Sequence, residues 1–180
     1  MTCIVGYVDN GNVYIGGDSA GVDGFDVTIR TDKKIFGNND FIFGFTSSFR
    51  MGQILKYNFL PPKREEDISD DEYIYKHFII EIIKVLKENS YAEVENNQVR
   101  GGEFLFGYRG KLYYVGSDFQ VGGSINNYDA IGCGAKYAKG CLFALQKINM
   151  GVEKRIKLAL EAAETFSAGV HRPFEIIKLH

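Results

Sequence analysis

The first 46 residues alternate between short apolar stretches and turn-forming residues, a pattern that predicts paired β-strands. Residues 2–8 and residues 13–18 are both rich in β-branched and aromatic side chains. The Asn10-Gly11 pair between them is typical of the tight turn of a hairpin. A glycine-rich connection over residues 19–26 and a short strand at residues 27–30 are predicted to follow.

The rest of the chain changes between the strand period and the helical period several times. Further strands are predicted at residues 35–36, 41–46, 103–108, 111–115, 128–131 and 174–179. Helices are predicted at residues 49–59, from the capping box of Ser69 and Glu72 to about residue 89, at 134–148 and at 152–166. The Asn96-Asn97 and Gly101-Gly102 pairs predict a loop before the hairpin of residues 103–115.

The order of these elements predicts the fold class. Strands come in clusters and helices come in pairs, which is typical of an α+β protein rather than one with alternating strands and helices. Two antiparallel sheets, each covered on its outer face by a helix pair, would bury the apolar faces of all four helices. The sequence therefore predicts a four-layer α-β-β-α sandwich, formed by residues 1–180 as a single domain.

Charge and cysteine content argue against several classes of function. The net charge is −2 and no basic run occurs, so a nucleic-acid surface is not expected. No apolar stretch is long enough to cross a bilayer, so no membrane partner is expected either. An odd number of cysteines, three, suggests reduced thiols and a cytoplasmic location. The three histidines are scattered and show no metal-ligand spacing, so neither a metal nor a cofactor is expected.

Three polar residues at the ends of predicted strands form a candidate catalytic site. Thr2 stands at the beginning of the first strand, Asp18 at the end of the second and Lys34 at the beginning of a later one. A threonine hydroxyl is a weak nucleophile and needs a base beside it. Once Met1 is removed, Thr2 carries that base itself, because a free α-amino group has an unperturbed pKa of about 7.7–8.0. Lys34 would disfavour the charged amine, and Asp18 would orient Lys34 and keep it charged.

Two further positions are predicted to complete the site. Cys133, between two glycines at the start of a predicted helix, would add a polar group near the Thr2 amine. The backbone N–H of Ser47, at a turn from strand to helix, would serve as an oxyanion hole. Because side chains alternate along a strand, Cys3 is expected to face away from Thr2 and to pack in the core.

At these residues the sequence resembles the proteasome β-subunit family, and most of all the bacterial HslV-type peptidases among the N-terminal nucleophile hydrolases. The stretches that carry the resemblance are TCIVGYVDNGNVYIGGDSAG, KKIF, FIFGFTSS and YDAIGCGAKYAKGCLFAL. The resemblance implies that Thr2 is the nucleophile and that Asp18 and Lys34 are its supporting residues. It also implies that Cys133 replaces a serine of the family and that Ser47 replaces a glycine whose N–H lines the oxyanion hole.

The resulting hypothesis is a threonine peptidase that cleaves polypeptide amide bonds through an acyl-enzyme ester. The resemblance further implies a ring-shaped homo-oligomer and leaves room for a separate ATPase unfoldase. The apolar residues Ile35 and Phe45 near the site would favour apolar side chains at the cleavage point. Two other functions stay open: a catalytically inactive assembly subunit with a structural Asp18–Lys34 salt bridge, and an amidase that acts on small amides.

Overall fold

The strands and helices follow closely the order that the sequence predicts. The computed structural model describes residues 1–95 and 98–179. The strands are β1 (Ile4–Asp9), β2 (Asn12–Gly17), β3 (Ala20–Asp23), β4 (Asp26–Ile29), β5 (Ile35–Asn38), β6 (Phe41–Phe45), β7 (Glu93–Glu95), β8 (Gln98–Arg100), β9 (Phe104–Tyr108), β10 (Lys111–Val115), β11 (Val121–Gly122), β12 (Tyr128–Ile131) and β13 (Glu175–Leu179). The helices are α1 (Phe49–Tyr57), α2 (Asp70–Tyr73), α3 (Ile79–Glu88), α4 (Ala135–Leu145) and α5 (Val152–Phe166).

Two antiparallel sheets form the centre of the molecule. The first sheet has the strand order β12-β1-β2-β13, and the second has the order β11-β10-β9-β6-β5. Side chains alternate along β1, so Ile4 faces the second sheet whereas Val5 faces the helices α4 and α5. Ile4 meets Ile35 and Leu105 in the apolar layer between the sheets.

A helix pair covers the outer face of each sheet, and the predicted four-layer α-β-β-α sandwich is confirmed. Helices α4 and α5 bury Leu142 and Leu160 against the first sheet. Helices α1 and α3 bury Ile54 and Leu86 against the second sheet. None of the helices in residues 1–95 and 98–179 combines the length and the apolar composition that a membrane span requires.

The predicted long helix up to about residue 89 is interrupted by a π-helical turn. This turn, Ile74–Phe78, joins α2 to α3 without a break. Residues five apart lie on one face of a π-turn, whereas an α-helix would rotate them apart. Tyr73 and Phe78 are therefore both buried, and their ring centroids lie 6.5 and 4.5 Å from that of Phe41. The apolar pattern alone does not reveal this turn because a π-turn changes the helical period only locally.

Two predicted connections contain additional strands. The sequence predicts a glycine-rich connection at residues 19–26, but β3 occupies part of it and pairs with β4 as a separate hairpin. Strands β7 and β8 pair with each other before β9. The predicted Asn96-Asn97 turn lies outside the described residues. Helix α4 ends at Leu145, three residues before its predicted end, whereas α5 has the predicted bounds.

Candidate active site

Pairing of β1 with β2 brings the beginning of the chain beside Asp18. The register places Ile4 opposite Gly17, so the next pair outward is Cys3 and Asp18. The Cys3 backbone N–H donates to Asp18 Oδ1 at 3.0 Å, and the Asp18 N–H donates to the Cys3 carbonyl at 3.3 Å. Thr2 therefore lies one residue beyond the last strand pair, at the end of the first sheet.

Asp18 and Lys34 form a buried ion pair at this end of the sheets. Lys34 Nζ donates to both carboxylate oxygens of Asp18, at 2.9 and 3.0 Å, and both side chains are almost fully buried. The backbone N–H of Ala20, at 3.0 Å, and that of His171, at 3.4 Å, also donate to Asp18 Oδ2. Burial lowers the pKa of the Lys34 ammonium below its usual value, and the Asp18 carboxylate acts in the opposite direction. The carboxylate is thus held by its ion pair and by three backbone donors.

Thr2 is buried and its polar atoms are all engaged. Its hydroxyl donates to the carbonyl oxygen of Met1. Its backbone N–H donates to Cys133 Sγ at 3.3 Å, and its carbonyl accepts from the Gly134 N–H at 3.2 Å. With Met1 attached, the Thr2 nitrogen is an amide; after removal of Met1 it would be a primary amine beside the Cys133 thiol.

The Cys133 thiol reaches Thr2 because the preceding residue is a glycine. Gly132 has a φ of +89°, a conformation that side chains rarely permit, and a Cβ there would overlap the Thr2 carbonyl. On its other side, Cys133 Sγ accepts a hydrogen bond from the Ser167 hydroxyl at 3.2 Å. Ser167 directly follows α5, so the thiol lies between the chain terminus and the loop after the last helix.

Ser47 lies at the turn between β6 and α1 with a φ of +74°. Residues other than glycine rarely adopt this conformation, and such backbone strain is concentrated at functional sites. The Ser47 hydroxyl accepts from the Glu103 N–H at 3.4 Å. Within the described part of the chain no group accepts a hydrogen bond from the Ser47 N–H. This arrangement is compatible with the predicted oxyanion hole, which stays a prediction.

A cavity of about 260 Å³ brings most of the predicted site residues together. Thr2, Lys34 and Ser47 line it, and Phe45 and Phe49 form an apolar wall. Asp18 contacts it only through Lys34, and Cys133 lies behind the Thr2 nitrogen. The structure thus places the other four predicted residues around Thr2, whereas the catalytic roles of all five stay predictions.

The cysteine next to Thr2 belongs to the core, as expected. Cys3 is fully buried and packs with Val5, Ala138 and Ala163. Burial raises the pKa of the Cys3 thiol far above its usual value, so Cys3 remains protonated. It is therefore not the nucleophile.

Sequence reasoning missed Arg30 in the cavity wall, as well as the contact of the His171 backbone with Asp18. Arg30 is part of a strand-like stretch that contains no recognisable motif. His171 lies 153 residues from Asp18 along the chain, so no local spacing could reveal the contact.

Comparisons with known proteins give matches at the level of structure only. No protein-family model matches the chain, and no curated protein sequence matches it. The structure of Thiobacillus denitrificans BPH superimposes with a TM-score of 0.83 at 18% identity, covering 99% of this chain and 97% of BPH. A structure of the same protein in complex with epoxomicin gives 0.77 at 18% identity, covering 99% and 98%. Eukaryotic HslV from Trypanosoma brucei gives 0.71 at 14% identity, covering 99% of both chains.

These similarities extend over nearly the whole of each chain, so they concern the complete architecture rather than one layer of it. At 14–18% identity they establish the fold. The fold that the sequence resemblance implied is therefore confirmed: this chain has the four-layer fold of HslV and of BPH.

Proposed function

We propose that the chain is a subunit of a threonine peptidase, with Thr2 as the nucleophile after removal of Met1. The observation that carries this proposal is the buried Asp18–Lys34 pair at the wall of the cavity that Thr2 also lines. A buried ion pair contributes little to net stability, because desolvation of the charges offsets their attraction. Perturbed, buried charges at a cavity are instead characteristic of functional sites.

The first chemical step forms an ester between the substrate and Thr2. The Thr2 hydroxyl oxygen attacks the carbonyl carbon of the scissile amide, and its proton passes to the Thr2 amine. The carbonyl oxygen, as it gains negative charge, accepts a hydrogen bond from the Ser47 N–H. The C–N bond of the intermediate then breaks, and the departing amine of the peptide receives the proton from the Thr2 amine.

The second step is hydrolysis of this ester by water, with the Thr2 amine again as the base. The Lys34 charge favours the neutral form of the amine throughout, and Asp18 keeps Lys34 in position. Cys133 orients the amine by contact with its nitrogen. No step requires a metal or a cofactor.

The proposal also includes the setting of the site. We expect residues 1–180 to act as one domain that assembles into a ring-shaped homo-oligomer in the cytoplasm. Unfolded polypeptides would reach the sites from the inside of the ring. An ATPase unfoldase would be the partner that supplies them.

The test is a comparison of Thr2→Ala and Thr2→Ser with the unchanged protein, each first examined by intact-mass measurement for loss of Met1. On fluorogenic peptide amides we expect Thr2→Ala to lower kcat/KM at least about 10³-fold, since nucleophile loss has effects of this order or larger. Thr2→Ser keeps a hydroxyl and an amine and should retain measurable turnover. Equal activity of Thr2→Ala and the unchanged protein would exclude Thr2 as the nucleophile.

A second function, a non-catalytic assembly subunit, is favoured by the contacts of Met1. While Met1 is attached, the Thr2 hydroxyl donates to the Met1 carbonyl and the Thr2 nitrogen is an amide without basic character. Protein purified from its natural host decides between the two functions. A mass lower by one methionine supports the peptidase, and a fully retained Met1 supports the assembly subunit.

A third function, hydrolysis of small amides, is favoured by the size of the cavity. Its volume of about 260 Å³ lies slightly below the range of about 300–1,000 Å³ that is usual for ligand pockets. Turnover of single amino-acid amides by a monomer, without turnover of longer peptides, would support this function over the peptidase.

A further inference from the structure

The cavity beside Thr2 has one cationic side chain that the proposed mechanism does not use. Arg30, directly after β4, lines the cavity together with Thr2 and Phe49. Its backbone N–H donates to the Ser19 carbonyl at 2.9 Å, so it is attached next to Asp18, at the end of the cavity where Thr2 lies. Any role of Arg30 in this cavity rests on the proposed function, because it concerns the substrate of that same site.

Three neighbours hold the Arg30 side chain in one position. Its Nε and Nη2 each donate to an Asp32 carboxylate oxygen at 2.7 Å, the two-point geometry that arginine forms with carboxylates. The guanidinium carbon lies 3.9 Å from the ring centroid of Phe49, within the range of a cation–π contact. Gly21 lies against the Arg30 stem, where a Cβ would come within 2.7 Å of Arg30 Cδ. A side chain held in this way loses little further entropy when it binds a ligand.

The guanidinium keeps donors for a ligand after these contacts. It has five N–H groups, and Asp32 accepts from two of them. The Arg30 and Asp32 side chains are 37% and 41% exposed, so the pair is open to the cavity and to solvent rather than sealed in the core. Because the guanidinium covers the face of Phe49, this wall presents N–H donors where an aromatic surface would otherwise be.

Asp32 balances the charge of Arg30 but does not line the cavity, so this end of the cavity presents the remaining guanidinium N–H groups rather than a net positive charge. The Lys34 charge is balanced by Asp18 within the buried pair. Asp23 also lines the cavity, but it pairs in register with Asp26 at the tip of the hairpin. Arg30 directly follows Ile29, which pairs with Ala20. Ala20 lies three residues from Asp23 along β3, a distance of about 10 Å. The carboxylate of Asp23 is therefore at the far end of the hairpin from Arg30.

We infer that Arg30 sets the substrate preference and that the cavity takes an acidic side chain, Glu or Asp, on the acyl side of the scissile bond. The carboxylate would accept charge-assisted hydrogen bonds from the free guanidinium N–H groups. Phe45 would contact the aliphatic part of the side chain. This preference differs from the apolar one expected from Ile35 and Phe45. Ile35 lies in the apolar layer between the sheets and does not line the cavity, and Phe45 shares the cavity wall with Arg30.

Binding is measured on Thr2→Ala protein without Met1, which has no nucleophile, so the result does not depend on whether the chain is a peptidase. The probes are acetylated tripeptide amides that differ only in their last residue, Glu, Gln, Leu or Arg, titrated by NMR. We expect the Glu peptide to bind at least about tenfold more tightly than the Leu peptide, since hydrogen bonds between a guanidinium and a carboxylate are stronger than those between neutral groups. Tighter binding of the Leu or Arg peptide, equal binding of all four, or no binding at all would overturn the inference.

Three additional substitutions separate specificity from general damage. Arg30→Met keeps the stem over Phe49 and should remove the advantage of the Glu peptide without weakening the Leu peptide. Asp32→Asn removes the carboxylate that pairs with the guanidinium. Because Arg30 then binds the Glu side chain without this competitor, binding of the Glu peptide should become stronger. Lys33→Met is the matched control, because Lys33 pairs with Glu175 at 2.9 Å and does not line the cavity. Loss of the preference for the Glu peptide in Lys33→Met to the same extent as in Arg30→Met would show a general charge effect and overturn the inference.

The same peptides, as fluorogenic amides, give the kinetic counterpart on the protein with Thr2 intact. We expect kcat/KM to follow the order of the binding constants. Binding of the Glu peptide without turnover would contradict the proposed peptidase and leave the Arg30 inference standing. Turnover with a preference for the Leu peptide would support the proposed peptidase and contradict the Arg30 inference.

Discussion

The two helix pairs pack on different kinds of side chain: α1 and α3 pack on aromatic rings, and α4 and α5 pack on small and aliphatic side chains. In the aromatic half, which consists of the second sheet with α1 and α3, Phe41 stacks on Tyr108 and Phe78 with ring centroids 4.3 and 4.5 Å apart. In the small-residue half, which consists of the first sheet with α4 and α5, the buried cluster contains four alanines, such as Ala138 and Ala163, together with Cys3 and aliphatic side chains such as Leu142. The large rings bury much apolar area, so the aromatic half supplies a large part of the stability of the folded protein.

Small side chains in the small-residue half allow one backbone segment to approach another closely. At Gly134, directly before α4, an added Cβ would lie 2.8 Å from the Cβ atoms of both Ala163 and Cys3. The Gly134 N–H therefore reaches the Thr2 carbonyl, and the Cys133 thiol reaches the Thr2 nitrogen. The difference indicates a division of roles: the aromatic half stabilises the molecule, and the small-residue half positions the candidate nucleophile.

The largest effect is expected for Lys34→Met, because it affects both stability and activity. Removal of one partner from a buried ion pair leaves an uncompensated charge, here on Asp18, and costs about 3–5 kcal/mol in the free energy of unfolding. Activity should fall at least about 10³-fold on this account of the site. Urea denaturation and kcat/KM measure the two effects.

A double variant provides the control for this prediction. Asp18→Asn combined with Lys34→Met removes both charges, so it should be less destabilised than Lys34→Met alone and equally inactive. A Lys34→Met protein with wild-type stability and activity would contradict both the buried pair and its role.

Phe78→Ala is expected to affect stability alone. Phe78 is fully buried in the aromatic half, where its ring centroid lies 4.7 Å from that of Phe106. Truncation of a buried phenylalanine costs about 3–5 kcal/mol, whereas kcat per folded molecule should stay unchanged. The control is Phe143→Ala, whose side chain is 70% exposed and whose loss should cost less than about 0.5 kcal/mol. A loss of kcat in folded Phe78→Ala would contradict the division between the two halves.

The smallest effect is expected for Cys133→Ser, which affects activity alone. A hydroxyl forms stronger hydrogen bonds than a thiol, so it should orient the Thr2 amine better and raise kcat about threefold. The free energy of unfolding should change by no more than about 0.5 kcal/mol. Cys141→Ser is the matched control: Cys141 packs in the same half but its thiol does not contact Thr2. Equal kcat in both variants and the unchanged protein would exclude a role for Cys133.

Much of the fold could be predicted because its signals are local. The hairpin of β1 and β2 has its turn at Asn10-Gly11, and α5 has the bounds that its apolar period predicts. The strand at residues 27–30 is predicted, but its partner β3 is missed, because the glycines among residues 19–26 are typical of a connection rather than of a strand.

The candidate site could be predicted in part. Asp18 and Lys34 could be paired in advance because each stands at the end of a strand and their charges are opposite. Arg30 could not be placed in the cavity, because its position depends on Asp32, on the Phe49 ring and on the missing side chain of Gly21. None of these contacts leaves a pattern in the order of residues.

The sequence by itself determined which elements form and which reactive side chains stand at their ends, since strand and helix periods act over a few neighbouring residues. Only the tertiary structure decided which of those ends meet. Cys133 lies 131 positions from Thr2 along the chain, and the two come together because small residues let α4 and α5 approach the first sheet closely. Such long-range meetings depend on the volumes of side chains packed between layers, and no local period carries that information.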